Sequence, residues 1–251
     1  MNKSKSNQKK SIERYSTGIN EFNALLNGGL PIKKIINVNG SSKVGKTTIL
    51  LQISINIIRR YNKKVFYFDI DGGLTYELLD SFGGLHMLYN QDTNPNGKLF
   101  LLNVSTIQEI IRIVDKVTKD NNTALIIIDS ETSVIDKSIL RDKYLGSKKN
   151  GVDTKAKMWS NKAKTFKAII RNSNASMITV SQARWNTSRK NPVLISSACN
   201  GIKYMSDGTI SIKVNGKSTN NPLKISISTS SGYVLKSNYI INTELIYGKG
   251  I

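Results

Sequence analysis

Apolar residues follow two rhythms along this chain. Between Ile35 and about Asn172, short apolar runs alternate with segments of helical spacing. The run IINV (35–38) precedes a helical stretch from about Thr47 to Arg60, and VFYF (65–68) precedes one around Tyr76–Phe82. LFLL (99–102) precedes a helix over Ile107–Thr118, where Ile107, Ile110, Ile111 and Val114 recur at helical spacing. ALIIID (124–129) is a continuous apolar run, the pattern of a strand covered on both faces. A long helix is predicted from about Asp153 to Asn172, then a strand over SMITVSQ (176–182). Beyond Asp207 the pattern changes to short alternating strands: TISIKV (209–214), LKISIST (223–229) and SNYIINTELIY (237–247). The repetition predicts an α/β fold with a mostly parallel central sheet flanked by helices. The three late strands are predicted to extend it as an antiparallel flank. No repeat or long linker divides residues 15–251, read as one core domain, and residues 1–14 read as a flexible basic arm.

The link between the first strand and the first helix carries chemistry. Gly40-x-x-x-x-Gly45-Lys46-Thr47 fits the phosphate-loop pattern at every fixed position, with a strand before it and a helix after it. The glycines let the backbone turn successive N–H groups toward one centre, and the helix start adds its positive dipole end. Lys46 is placed to reach terminal phosphates, and Thr47 to ligate Mg²⁺. The phosphate cradle thus comprises Gly40, Ser41, Ser42, Lys43, Val44, Gly45, Lys46, Thr47 and Thr48.

Three polar residues at strand ends complete the reading. Asp129 closes ALIIID and is the expected second Mg²⁺ residue; an ordinary strand-terminal aspartate is the alternative. Hydrolysis also needs a group that orients or deprotonates water. Asp71 in FDIDGG is the candidate base, with Asp69 its competitor and a plain Asp-Gly turn the bland alternative. Gln182 closes SMITVSQ, where an amide can sense the γ-phosphate and relay its presence onward. The lone His86 reads as structural, and one Cys with one His leaves no zinc site of Cys/His type.

Composition narrows the class. The 251 residues are 39% hydrophobic, enough for one large domain core. The single cysteine, Cys199, admits no intramolecular disulfide and suits a reducing cytosol. The polar N-terminus lacks the apolar core of a signal peptide, and no apolar run approaches the roughly 18 residues of a membrane span. Cytoplasmic localisation, in a bacterium or phage-infected cell, and no membrane partner are expected. A net charge of +20 points to a polyanionic partner, although Lys-, Asn- and Ile-rich composition also suits an AT-rich genome.

STGINEFNALLNGGLP (16–31), the phosphate loop, FDIDGGL (68–74), LIIIDS (125–130), TVSQAR (179–184) and TELIYGKGI (243–251) follow one another in the order and spacing of the RecA-type recombinases. The chain resembles that family, including its phage UvsX members, over roughly residues 11–251. The resemblance implies that Lys46 and Thr47 bind phosphate and Mg²⁺, that Asp129 is the second Mg²⁺ carboxylate, and that Asp71 stands where the family carries its catalytic glutamate. Gln182 stands at the glutamine coupling nucleotide state to DNA, and Lys203 at a lysine reaching a neighbouring subunit's nucleotide. It further implies a first DNA-binding loop around 146–153, with Lys148 and Lys149, and a second around 183–198, with Arg184, Trp185, Arg189 and Lys190.

The charge agrees with that placement. Residues 141–171 hold ten basic and two acidic side chains, and residues 183–206 contain no acid. Trp185 beside Arg184 can stack a base while cations track phosphates. For the Lys-rich helix, a solvated face is the alternative. Two departures from the family stand out: Asp71 is one methylene shorter than glutamate, and ISTSSGY (227–233) lacks the family's pair of lysines. The N-terminal docking segment and the domain beyond the core also find no counterpart, so filament formation does not simply carry over.

The expected activity is that of a DNA-dependent ATPase. It binds single-stranded DNA with ATP and Mg²⁺, pairs it with duplex DNA in strand exchange, and acts as a homo-oligomer, filament or ring. A mediator or annealing protein with little turnover, a ring helicase and a small-molecule kinase are the competitors.

Overall fold

The structure is a computed structural model that describes residues 12–138, 151–186, 193–196, 199–215, 223–231, 234–236 and 239–251. The described elements begin with β1 (Arg14–Tyr15), α1 (Asn20–Leu25), β2 (Leu30–Pro31), β3 (Ile35–Gly40), α2 (Lys46–Tyr61) and β4 (Lys64–Asp69). Then come α3 (Tyr76–Ser81), β5 (Leu99–Leu102), α4 (Ile107–Val117), β6 (Thr123–Asp129), α5 (Gly151–Arg171) and β7 (Ser176–Asn186). The chain continues through β8 (Val193–Ser196), α6 (Asn200–Met205), β9 (Gly208–Val214), β10 (Leu223–Ser231) and β11 (Ile240–Leu245).

The main sheet runs β5-β4-β6-β7-β3-β9-β10-β11, with β8 added beside β7. From β5 to β9 every neighbouring pair is parallel. The late strands are antiparallel to one another, β9 to β10 to β11, and join the parallel part where β9 pairs parallel with β3. The fold is therefore a mostly parallel α/β sheet with an antiparallel extension.

Alternate residues of the central strands face opposite cores. Ile36, Val38, Val65, Tyr67, Leu125 and Ile127 pack with α1, α2 and α3 on one face. Phe66, Phe68, Ile126, Ile128 and Met177 pack with α4, α5 and α6 on the other. Burial on both faces is why these strands read as unbroken apolar runs. In β9 and β10 only one face is covered: Ile210, Ile212, Ile225 and Ile227 are buried, while Ser211, Ser226 and Ser228 are not, which produces the strict alternation.

Helix ends follow local chemistry. Thr75 caps α3 by accepting the Leu78 N–H at 3.2 Å. Asn62, in the left-handed region at φ 50°, ends α2, and its N–H reaches the Ile58 carbonyl. In α5, Trp159, Ala163, Phe166 and Ile170 recur at spacings of three and four and are all buried, so one stripe holds the helix to the sheet.

Several elements went unpredicted. The β1–β2 ribbon pairs residues near both ends of the short α1, and such two-residue strands have no periodic signature. Arg14, counted with the basic arm, lies in β1, and its guanidinium donates to the Leu26, Gly29 and Val234 carbonyls. The second expected DNA loop, 183–198, is in part a β-ribbon: β7 continues to Asn186 and pairs antiparallel with β8, Ala183 opposite Ser196. Backbone pairing between these arms overrides the loop reading. Of the predicted strand over 237–247, Ile240–Leu245 forms β11, while Ile246 makes an isolated bridge with Gly250 and Tyr247 lies in the turn between them.

Candidate active site

Four neighbouring parallel strands, β4, β6, β7 and β3, end side by side, and their carboxyl ends supply the site. Asp69 pairs with Asp129 across β4 and β6, and Gln182 pairs with Gly40 across β7 and β3. Residues distant in sequence thus meet at one edge, the usual ligand position in α/β sheets.

The loop leaving β3 needs both its glycines. A Cβ on Gly40 would lie 2.7 Å from the Ile212 carbonyl oxygen. Gly45 sits at φ 84°, where a Cβ would stand 1.8 Å from Leu245 Cδ2. Leu245 ends β11, and Ile251 exchanges hydrogen bonds with the Gln52 side chain, so the C-terminal segment is clamped over the loop and α2.

Around the loop lies a cleft of about 420 Å³. Ser42, Lys43, Gly45, Lys46, Thr47, Thr48, Asp71, Asp129 and Gln182, all predicted, line it together. Gly40 and Ser41 stand behind it and offer carbonyls, which accept from Lys46 Nζ at 2.9 and 2.7 Å. Val44 points into the core. Lys203 is exposed on α6 and is not among the lining residues.

Asp129 is 4% exposed, and its Oδ2 accepts from Thr47 Oγ1 at 2.8 Å and from Tyr67 OH at 2.7 Å. Burial pushes its carboxyl above the usual range, against the pull of those two hydroxyls. Lys46 is held below its ordinary value by burial, with the Asp129 and Asp71 charges acting in the opposite sense. A cation introduced beside Asp129 would relieve its desolvated charge.

Asp71 is exposed, unlike Asp129. Ser130 Oγ donates to its Oδ2 at 2.7 Å, and Ser133 Oγ donates to its Oδ1. Its backbone N–H meets the Asp129 carbonyl at 3.4 Å, which ties the turn after β4 to the end of β6. Asp69 spends both carboxylate oxygens on the N–H groups of Gly73 and Leu74, at 2.9 and 3.0 Å, and so holds that turn.

The donor set fits Mg²⁺ with a nucleotide triphosphate. It offers one carboxylate and one hydroxyl 2.8 Å apart, hard oxygens suited to an ion completed by phosphates and water. Among the described residues no group of three or more His, Cys, Asp or Glu converges as an all-protein metal cage.

Tyr67 and Tyr247 escaped the sequence reading. Tyr67 shares a face with Asp69 by strand alternation, and a buried tyrosine needs a partner for its hydroxyl, so that signal was present. Tyr247 lines the cleft only because the chain end folds back over the loop. Lys148, Lys149, Arg189 and Lys190 lie outside the described residues, as do the side chains of Arg184 and Trp185.

The family model described as RecA N-terminal domain matches residues 1–251. Protein RecA of Mycoplasma genitalium is 28% identical over 174 residues, covering 69% of this chain and 47% of that protein. DNA repair and recombination protein RadB of Thermococcus kodakarensis is 32% identical over 123 residues, 47% of this chain and 52% of that protein. The chain thus spans about half the length of these curated relatives. Among solved structures, that of the RadB recombinase is similar with a TM-score of 0.64, at 20% identity, over 94% of this chain and 97% of that one. That likeness is one of fold.

Proposed function

This chain belongs to the RecA N-terminal domain family, and on that premise we propose that it is a DNA-dependent ATPase that binds single-stranded DNA with ATP and promotes homologous pairing and strand exchange. The observation that carries the reading is the meeting of Lys46, Thr47, Asp129, Asp71 and Gln182 in one cleft. The name of the RadB relative, DNA repair and recombination protein, supplies the DNA context.

Lys46 leaves the Gly40 and Ser41 carbonyls and donates to the terminal phosphates. The N–H groups of residues 41–45 and the start of α2 hold the β-phosphate. Thr47 and Asp129 hold Mg²⁺, which supplies positive charge against the phosphate oxygens. Asp71, kept in place by Ser130 and Ser133, orients the attacking water and accepts its proton. Gln182 stands beside the loop and continues directly into the β7–β8 ribbon, so a contact with the γ-phosphate reaches DNA-binding residues through one strand. Lys203, exposed and outside its own cleft, serves the nucleotide of a neighbouring copy in a homo-oligomer.

A second reading has two observations in its favour. The short arm of Asp71 and the lack of lysine in 227–233 suit a mediator that binds ATP and single-stranded DNA with little turnover. Steady-state ATP hydrolysis with and without single-stranded DNA, beside electron micrographs of the protein with DNA and ATP, separates them. DNA-stimulated turnover with filaments or rings supports the recombinase. Turnover unaffected by DNA, with no assembly, removes it.

A further inference from the structure

A second cleft, of about 510 Å³, opens at the other end of the sheet. Lys33 and Lys34, at the entrance to β3, face Lys164, Lys167 and Arg171 from the last turns of α5, and Tyr204 of α6 completes the rim. β3 separates this cleft from the phosphate loop by about 20 Å, at roughly 3.3 Å per residue. Asp207 is the acid in the lining, and it is committed: Oδ2 accepts the Ile35 N–H at 2.9 Å and Oδ1 lies 3.8 Å from Lys34 Nζ. The lining therefore holds five cationic side chains against one acid.

Lys164, Lys167 and Arg171 fall at spacings of three and four, on one helix face, where like charges repel. Tyr204 is 68% exposed. Lys167 Nζ donates to its carbonyl at 3.1 Å and lies 5.5 Å from its ring centroid, which fixes the aromatic beside the cations. Cations along an open groove with an exposed ring at the rim form the chemistry of single-strand recognition: phosphates track the charges and a base stacks on the ring. The spread of the cations over two elements suits several phosphates rather than one small anion.

We propose that this groove is a second contact for a single-stranded nucleic-acid backbone, and that its binding is independent of ATP. For the class of partner the proposal rests on the function proposed above; the location and the ATP independence rest on the groove alone. All five cations stand on the start of β3 and the end of α5, at the opposite end of β3 from the phosphate loop, whereas α6, which carries Tyr204, follows β8 by four residues. The groove holds DNA through both nucleotide states, so a strand released by the ATP-dependent loops stays on the protein.

The test is fluorescence anisotropy with a labelled single-stranded oligonucleotide, in the absence of nucleotide and with a non-hydrolysed ATP analogue, across a salt series. Lys33→Gln/Lys164→Gln/Arg171→Gln, at exposed positions, should weaken nucleotide-free binding at least about tenfold. It should also flatten the log K against log salt slope by about 2, from about 0.7 per phosphate contact. The fold-increase on adding the ATP analogue should persist. Tyr204→Ala should weaken binding roughly 5- to 100-fold at unchanged slope. Arg171→Lys should behave as wild type, which separates lost charge from lost structure. Nucleotide-free affinity and slope unchanged in the triple variant overturn the proposal, as does a loss confined to the ATP-bound state. A labelled poly-glutamate peptide that binds the groove more tightly than the oligonucleotide also overturns it and makes the groove a protein-docking surface. Wild-type protein that binds no oligonucleotide in any state sinks the DNA reading as well, whereas wild-type binding that the triple variant leaves intact sinks this proposal alone.

Discussion

Asp71→Asn tests the division of labour in the cleft. The substitution keeps the shape: the Asn carbonyl oxygen can accept from one of Ser130 and Ser133, and its amide can donate to the hydroxyl oxygen of the other, so the turn after β4 should hold. What disappears is the charge and the proton acceptor. Removing a general base typically costs 10²–10⁴-fold, and the short side chain already places wild type toward the slow end, since a misplacement of about 1 Å costs on the order of 100-fold. A further loss of about 100-fold is therefore expected, or about 2.7 kcal/mol on the barrier. Binding should move the other way. The Asp71 charge pushes the Asp129 carboxyl upward, so its removal eases ionisation of Asp129 and removes repulsion toward phosphate. ATP affinity should be equal to or tighter than that of wild type, and ATP-dependent DNA binding equal or stronger, because the ATP state persists. Steady-state hydrolysis with single-stranded DNA, nucleotide titration and oligonucleotide anisotropy measure the three quantities. Unchanged hydrolysis would refute Asp71 as the base, and loss of ATP binding would make it part of the nucleotide site instead.

Three further outcomes follow from the same geometry. Lys46→Ala should abolish ATP-dependent DNA binding in a protein that still folds, checked by nucleotide titration and circular dichroism; wild-type affinity for ATP and DNA would remove the site assignment. Gly45→Ala should cost about 2–5 kcal/mol, combining left-handed backbone strain with overpacking against Leu245. Leu245→Ala in the same chain should recover about 1–3 kcal/mol of that in urea unfolding, whereas strict additivity would deny the contact. Asp129 has a folded-state pKa above its unfolded value, so its ionised form costs stability that grows as pH rises from about 4 through the folded pKa. Asp129→Asn, without nucleotide, should raise the neutral-pH Tm by about 2–4 °C for each kcal/mol relieved, converge with wild type below about pH 4, and lose Mg²⁺-dependent ATP binding; a lower Tm at neutral pH would contradict the burial argument.

Much of this protein was legible in the order of its residues because the signals are local. A strand covered on both faces must be apolar throughout, as ALIIID is, and a strand with one open face must alternate, as LKISIST does. A phosphate loop needs glycines, a lysine and a hydroxyl at fixed offsets, so Gly40 to Thr47 identify themselves. Their neighbours in space do not. Only the strand order β4-β6-β7-β3 brings Asp71, Asp129 and Gln182 to that loop, and pairing order leaves no local signature. Tyr247 enters the cleft because the last residues fold over Gly45 and α2, a contact between positions some two hundred residues apart. Backbone pairing of β7 with β8 turns a stretch that reads as loop into a ribbon. Lys33 and Lys34 look like ordinary turn residues until α5, returning from the far side of the sheet, sets Lys164, Lys167 and Arg171 against them. Periodicity records which face of an element is buried; which distant side chains share that face depends on long-range packing, and there the tertiary structure alone decides.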